Sequence, residues 1–102
     1  MADKLTLSVE IVDYAGLAWS GLGHYVDVPT IGGPVGIYPR HQPMMTLLSD
    51  GEVKIVHEGS PEVKVQVAGG FLSVDSDIVT IVTDQATVVE AGQGGHQPAG
   101  HR

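Results

Sequence analysis

The chain reads as an all-β protein, a flattened β-sandwich or barrel of about ten short strands. Three observations carry that reading. Apolar residues recur at every second position in run after run, turn-forming residues interrupt the runs at intervals of about eight to twelve positions, and long helical spacing is absent.

The elements follow in order. Leu5, Leu7, Val9 and Ile11 share one face of an opening strand, with Thr6, Ser8 and Glu10 opposite. Gly21–Gly23 punctuates, and Leu22, His24, Val26 and Val28 continue on one face. Gly32-Gly33-Pro34 is a turn, and between Pro39 and Leu48 there is room for a short helical turn that Pro43 prevents from extending backwards. Asp50-Gly51, between two apolar runs, predicts a hairpin. Val53 and Ile55 alternate with Glu52 and Lys54, and after the turn Glu58–Pro61 so do Val63, Val65 and Val67 with Lys64 and Gln66. A Gly69-Gly70 bend leads to an apolar strand, an Asp75-Ser76-Asp77 hairpin turn and a last strand. There Val79 and Ile81 share a face, but Ile78 and Val82 make the other face apolar too, which suits a sandwich interior or a subunit interface. Residues 91–102 are Gly-rich and lack large apolar side chains, so a disordered tail is expected after a folded domain over 1–90.

With 102 residues and 42% apolar content the chain has material for one core. Its formal charge of -7, with Lys4, Arg40, Lys54, Lys64 and Arg102 scattered, argues against nucleic acid or an anionic lipid surface as partner. The lack of cysteine removes disulfides, thiolate metal sites and a cysteine nucleophile. The first residues alternate polar and apolar, unlike a signal peptide, and no run approaches the roughly 18 apolar residues of a membrane span. A soluble, cytoplasmic protein that meets a membrane only through a partner is therefore expected.

Catalytic patterns are not evident. No phosphate-cradling Gly-Lys-Ser/Thr loop occurs, Gly21-Leu22-Gly23 leads into no helix, and Ser20 lacks the glycine frame of a nucleophile elbow. Asp75-Ser76-Asp77 lacks the remaining ligands of a calcium loop. His96 and His101 fall in the tail, His57 sits at a turn, and His24 reads as a satisfied, partly buried imidazole. His41 differs: Pro39 and Pro43 stiffen the segment that carries it, and Met44, Met45, Leu47 and Leu48 follow, so the segment can present a shaped surface at low entropic cost. A role limited to satisfying nearby backbone carbonyls stands beside that reading. No cofactor and no metal are expected.

The order of these motifs resembles the N-terminal domain of the epsilon subunit of F-type ATP synthase. The resemblance runs from about Leu5 to Glu90 through Leu7–Val12, Trp19-Ser20-Gly21, Val28-Pro29-Thr30, Gly36-Ile37, Pro39, His41, Pro43, Gly51, Gly69-Gly70-Phe71-Leu72 and Val79–Ile81. It implies a non-catalytic rotor subunit of the central stalk, which grips the gamma subunit and the c-ring and couples ion-driven rotation to ATP synthesis on the cytoplasmic side of the membrane. By matching positions it implies that Arg40, His41, Pro43 and Met44 face gamma, and that the loop Thr30, Ile31, Gly32, Gly33, Pro34 faces the c-ring.

Two departures accompany the resemblance. Gly32-Gly33-Pro34 stands where the family commonly has Glu-Gly-Glu, which implies that backbone polar groups and Pro34 packing take over the c-ring contact. The family's two-helix C-terminal domain has no counterpart after Glu90, which implies coupling without an inhibitory helical arm. The competing readings are a free-standing β-sandwich adaptor using the Pro39–Pro43 segment, and a small hydrolase using His41.

Overall fold

The computed structural model describes residues 5–90, and the expectation of a disordered tail over 91–102 lies outside the described residues. Ten strands run in order: β1 Leu7–Asp13, β2 Gly16–Gly23, β3 Tyr25–Thr30, β4 Gly33–Ile37, β5 Met44–Leu47, β6 Gly51–Val56, β7 Val63–Val67, β8 Phe71–Asp75, β9 Ile78–Val82 and β10 Ala86–Glu90. They form two five-stranded sheets, β2-β1-β9-β8-β5 (sheet A) and β10-β7-β6-β3-β4 (sheet B). All pairings are antiparallel except β1 with β9, which run parallel from Ser8↔Ile78 to Val12↔Val82.

The period-two pattern decides what lies between the sheets. Leu7, Val9 and Ile11 of β1, Leu72 and Val74 of β8, and Val79 and Ile81 of β9 turn inward from sheet A and are buried. Val26 and Val28, Val53 and Ile55, and Val63, Val65 and Val67 meet them from sheet B. Burying a side chain of this kind contributes about 1.5–3 kcal/mol, so this layer is the main source of stability.

Hydrogen bonds tie the sheets together at one side. Asp13, at the end of β1, accepts from Ala15 N–H through Oδ1 at 2.9 Å and from Ala86 N–H through Oδ2 at 3.0 Å, linking sheet A to the start of β10. Thr83 is buried yet satisfied: its N–H donates to Val12 O at 2.9 Å, and its Oγ1 accepts from Ala68 N–H at 3.0 Å.

Four differences from the sequence-based expectations have physical causes. Asp50-Gly51 does not close a hairpin: β5 pairs with β8 in sheet A, whereas β6 pairs with β3 and β7 in sheet B. The chain turns a corner there, held by Leu48 N–H to Gly70 O at 2.9 Å and Ser49 N–H to Pro29 O at 3.1 Å. Turn residues specify a bend but not the sheet that the next strand joins. Leu22 does not share a face with Val26 and Val28, because the chain changes sheets around His24; Leu22 is exposed on sheet A while the valines are buried. Leu5 precedes β1 and is exposed. The segment Pro39–Leu48 forms a turn and then β5, with no helix among the described residues.

Candidate interaction surface

Residues that alternate with the core positions of sheet A face outward, and the register aligns them into rows. At one end of the sheet Leu47 lies opposite Phe71, Phe71 opposite Val82, Val82 opposite Val12, and Val12 opposite Leu17. This row crosses all five strands without a polar side chain. Leu17 is 61% exposed and Leu47 57%, which marks the row as uncovered rather than packed within the chain. The next row mixes Met45, Ser73, Thr80, Glu10 and Ser20, and the far row contains Ile78 and Leu22, both exposed. A contiguous exposed apolar row of this kind is characteristic of an interaction site.

The two sequence-predicted segments flank opposite ends of β5. The β3–β4 hairpin tip carries Thr30, Ile31, Gly32, Gly33 and Pro34, and its Ile31 N–H donates to Leu47 O at 3.1 Å. It therefore adjoins the apolar row. The Thr30 hydroxyl donates to Gly33 O at 2.5 Å and accepts from Gly32 N–H at 3.2 Å. These bonds occupy the backbone groups expected to contact a partner, so the tip presents mainly the side chain of Ile31, 67% exposed, and that of Pro34.

At the other end, the segment before β5 holds Arg40, His41, Pro43 and Met44. Arg40 has φ 70 and its N–H donates to Asp77 Oδ1 at 2.6 Å, which fastens the segment to the β8–β9 turn. His41 N–H donates to Tyr38 O at 3.1 Å. The His41 Nδ1 lies 2.7 Å from Gln42 O, so that nitrogen is occupied by the adjacent carbonyl. Arg40 and Pro43 are exposed, whereas Met44 packs against the core; its neighbour Met45 is the exposed methionine.

Sequence reasoning missed three features. The apolar row was signalled only at Val82, because the rest depends on cross-strand register. The Arg40–Asp77 bond spans 37 positions and has no local signature. The rings of His24 and His57 lie 4.6 Å apart in a tilted contact, and His24 Nδ1 accepts from Glu58 N–H at 3.0 Å, an arrangement created by the pairing of β3 with β6.

The outer face of sheet B differs. Asp27 lies opposite Lys54, Lys54 opposite Lys64, and Glu52 opposite Gln66. Beside them the Tyr25 ring meets that of Tyr38 at a tilt, centroids 4.7 Å apart, and lies where a side chain at Gly36 would stand, a Cβ there falling 2.8 Å from the Tyr25 hydroxyl. Burial chiefly, then the charge of Asp27, raises the Tyr25 phenol above its ordinary pKa.

A β-sandwich with a charged outer face on one sheet and an exposed apolar row across the other is suited to assembly with a partner. Residues 6–89 match the family described as "ATP synthase, Delta/Epsilon chain, beta-sandwich domain", and the chain belongs to that family. It is 42% identical over 81 residues to the ATP synthase epsilon chain of Neisseria meningitidis (serogroup C, strain FAM18), covering 78% of this chain and 58% of that one. It is 41% identical over 85 residues to the epsilon chain of Micrococcus luteus, covering 83% of this chain and 93% of that one. Thus it spans little more than half of one relative and nearly all of the other. In solved structures the fold recurs in a chain of the Euglena gracilis mitochondrial ATP synthase OSCP/F1/c-ring assembly (TM-score 0.77, 18% identity, 86% of this chain and 56% of that chain). It recurs also in the Tetrahymena thermophila mitochondrial ATP synthase central stalk/c-ring (TM-score 0.65, 13% identity, 84% of this chain and 69% of that chain).

Proposed function

We propose that the chain is a non-catalytic rotor subunit of an F-type ATP synthase, joining the gamma subunit to the c-ring on the cytoplasmic face of the membrane. The observation that carries this reading is the apolar row Leu47–Phe71–Val82–Val12–Leu17, with the epsilon-chain relationship supplying the assembly. Gamma covers the outer face of sheet A and the adjoining Arg40–Pro43 segment, while the Ile31 tip meets the c-ring. Gamma contact with Met44 is indirect, since that side chain supports β5 from within while Met45 reaches out.

The mechanism is mechanical. Torque passed from the ring to gamma loads this domain in shear. Ladder hydrogen bonds resist such loading, and the hairpin tip is braced by Thr30 and Leu47. The tip contact is apolar through Ile31 and Pro34, so it tolerates salt better than a carboxylate contact would.

Co-expression with gamma from the same source, followed by native mass spectrometry, tests the reading. A one-to-one complex that is lost on Val82→Asp, with the variant folded, is the expected result. A complex indifferent to Val82→Asp moves the interface elsewhere, and the absence of any complex favours the free-standing adaptor. Separately, Pro34→Glu should leave gamma binding intact and make rotor assembly more sensitive to salt.

A further inference from the structure

Among the described residues three other than glycine adopt left-handed backbone conformations, and they meet at one place: Arg40 at φ 70, and Ser76 and Asp77 at φ 53 and 63. Ser76 and Asp77 are the two central residues of the β8–β9 hairpin, which with positive φ at both is a type I′ turn. Their conformation is what that turn demands. Arg40 is the third residue of a type II turn, Tyr38-Pro39-Arg40-His41, closed by His41 N–H to Tyr38 O at 3.1 Å, and that position also demands positive φ, with glycine as its usual occupant. Each non-glycine residue in this region carries a backbone penalty, and glycine would adopt the same φ freely.

The bond that holds Arg40 does not need arginine. Its backbone N–H donates to the Asp77 carboxylate, a bond that any residue except proline can make. Asp77 is itself anchored, since its carbonyl accepts from Ser8 N–H of β1 at 2.8 Å. Neither the turn, which glycine would fit without strain, nor the bond to Asp77 therefore asks for an arginine side chain at this position. It is exposed, and among the described residues no carboxylate pairs with its guanidinium. The other described cations, Lys54 and Lys64, project from sheet B. Arg40 is thus the positive group beside sheet A in a chain of formal charge -7.

We propose that Arg40 is a specificity contact whose guanidinium pairs with a carboxylate of gamma at the polar rim of the apolar face, and that Asp77 is the positioning residue that holds it there. This rests on the rotor reading above. A rim charge beside an apolar centre is the usual arrangement of a protein interface, and arginine offers two donors in a fixed fork to a carboxylate. A polyanion is the wrong partner, because the surrounding net negative charge repels it.

The test measures binding of gamma by wild type, Arg40→Gly, Arg40→Lys and Lys54→Gln at low and high salt, beside thermal melts of each chain. Arg40→Gly relieves the backbone while keeping the bond to Asp77, so it should melt higher than wild type. It should also bind gamma about fivefold more weakly at low salt, with a flatter salt dependence. Arg40→Lys should keep the salt dependence, and Lys54→Gln should match wild type. Equal affinity and an equal salt slope for wild type and Arg40→Gly would overturn the inference while leaving the rotor reading in place. Failure of the wild type itself to bind gamma would overturn both.

Discussion

Along β6 and β7 the outward residues are Glu52, Lys54, Val56, Lys64 and Gln66, whereas along β8 and β9 they are Phe71, Ser73, Asp75, Ile78, Thr80 and Val82. The inward residues of both pairs are interchangeable in kind, valines, isoleucines and a leucine that are all buried. The two sheets therefore contribute alike to folding and differ only where folding places no demand. A polar outer face is sufficient for a sandwich surrounded by water. An apolar row across five strands adds nothing to the isolated domain and exposes it to association, so its explanation lies in a partner.

The shared foundation can be broken at Gly70, where the chain passes from β7 of sheet B into β8 of sheet A. Its φ is 104, and a Cβ there would stand 1.9 Å from Val82 O and 2.7 Å from Thr83 Cα. Gly70→Ala combines backbone strain with a collision against backbone that cannot yield. The expected loss is about 3 kcal/mol or more, read from denaturant unfolding. Both faces should be lost together in one transition. Separate transitions for the two sheets would break the view of them as one cooperative unit.

A smaller effect on stability, with a large one on binding, is expected from Leu17→Ser combined with Leu47→Ser. These residues end the apolar row on the two edge strands of sheet A. Gamma affinity should fall at least about tenfold, while stability moves by no more than about 1 kcal/mol for the pair. The matching change on sheet B, Glu52→Ser with Gln66→Ser, should alter neither. In sedimentation the isolated wild-type chain should self-associate with rising concentration, and the Leu17, Leu47 double variant should not. Equal losses of gamma binding from both pairs of substitutions would erase the distinction between the faces.

The legible part of this molecule is the part governed by period two. Val53 with Ile55, Val63 with Val67, and Val79 with Ile81 announce their buried faces because a strand's side chains alternate regardless of its neighbours. The Ser76-Asp77 hairpin was legible for the same local reason. Asp50-Gly51 misled because joining β6 to sheet B depends on β3 and β7, which local turn chemistry does not encode. Trp19-Ser20-Gly21 was one of the ordered motifs of the family resemblance, and its physical basis emerges only in three dimensions: a Cβ at Gly21 would lie 2.7 Å from the Trp19 ring. The apolar row remained hidden for the reason Asp50-Gly51 misled. Leu17, Val12, Val82, Phe71 and Leu47 become neighbours through pairings between strands, including the parallel pairing of β1 with β9.

The least effect on assembly is expected from the tyrosine cluster of sheet B, and that makes it a sharp control. Burial, then the charge of Asp27, then Tyr38 raise the Tyr25 phenol, so the native chain holds this proton to higher pH than the unfolded chain does. The stabilisation from this group is complete below about pH 10 and is lost as pH rises through the folded-state value. In a tyrosinate absorbance titration one component should ionise late, and that component should disappear in Tyr25→Phe. Asp27→Asn should move that component only part of the way back, because burial, the larger cause, remains. Gamma should bind Tyr25→Phe as it binds wild type, since Tyr25 and Asp27 face away from sheet A. A loss of affinity there would place the polar face inside the interface and remove the reason for assigning gamma to the apolar one.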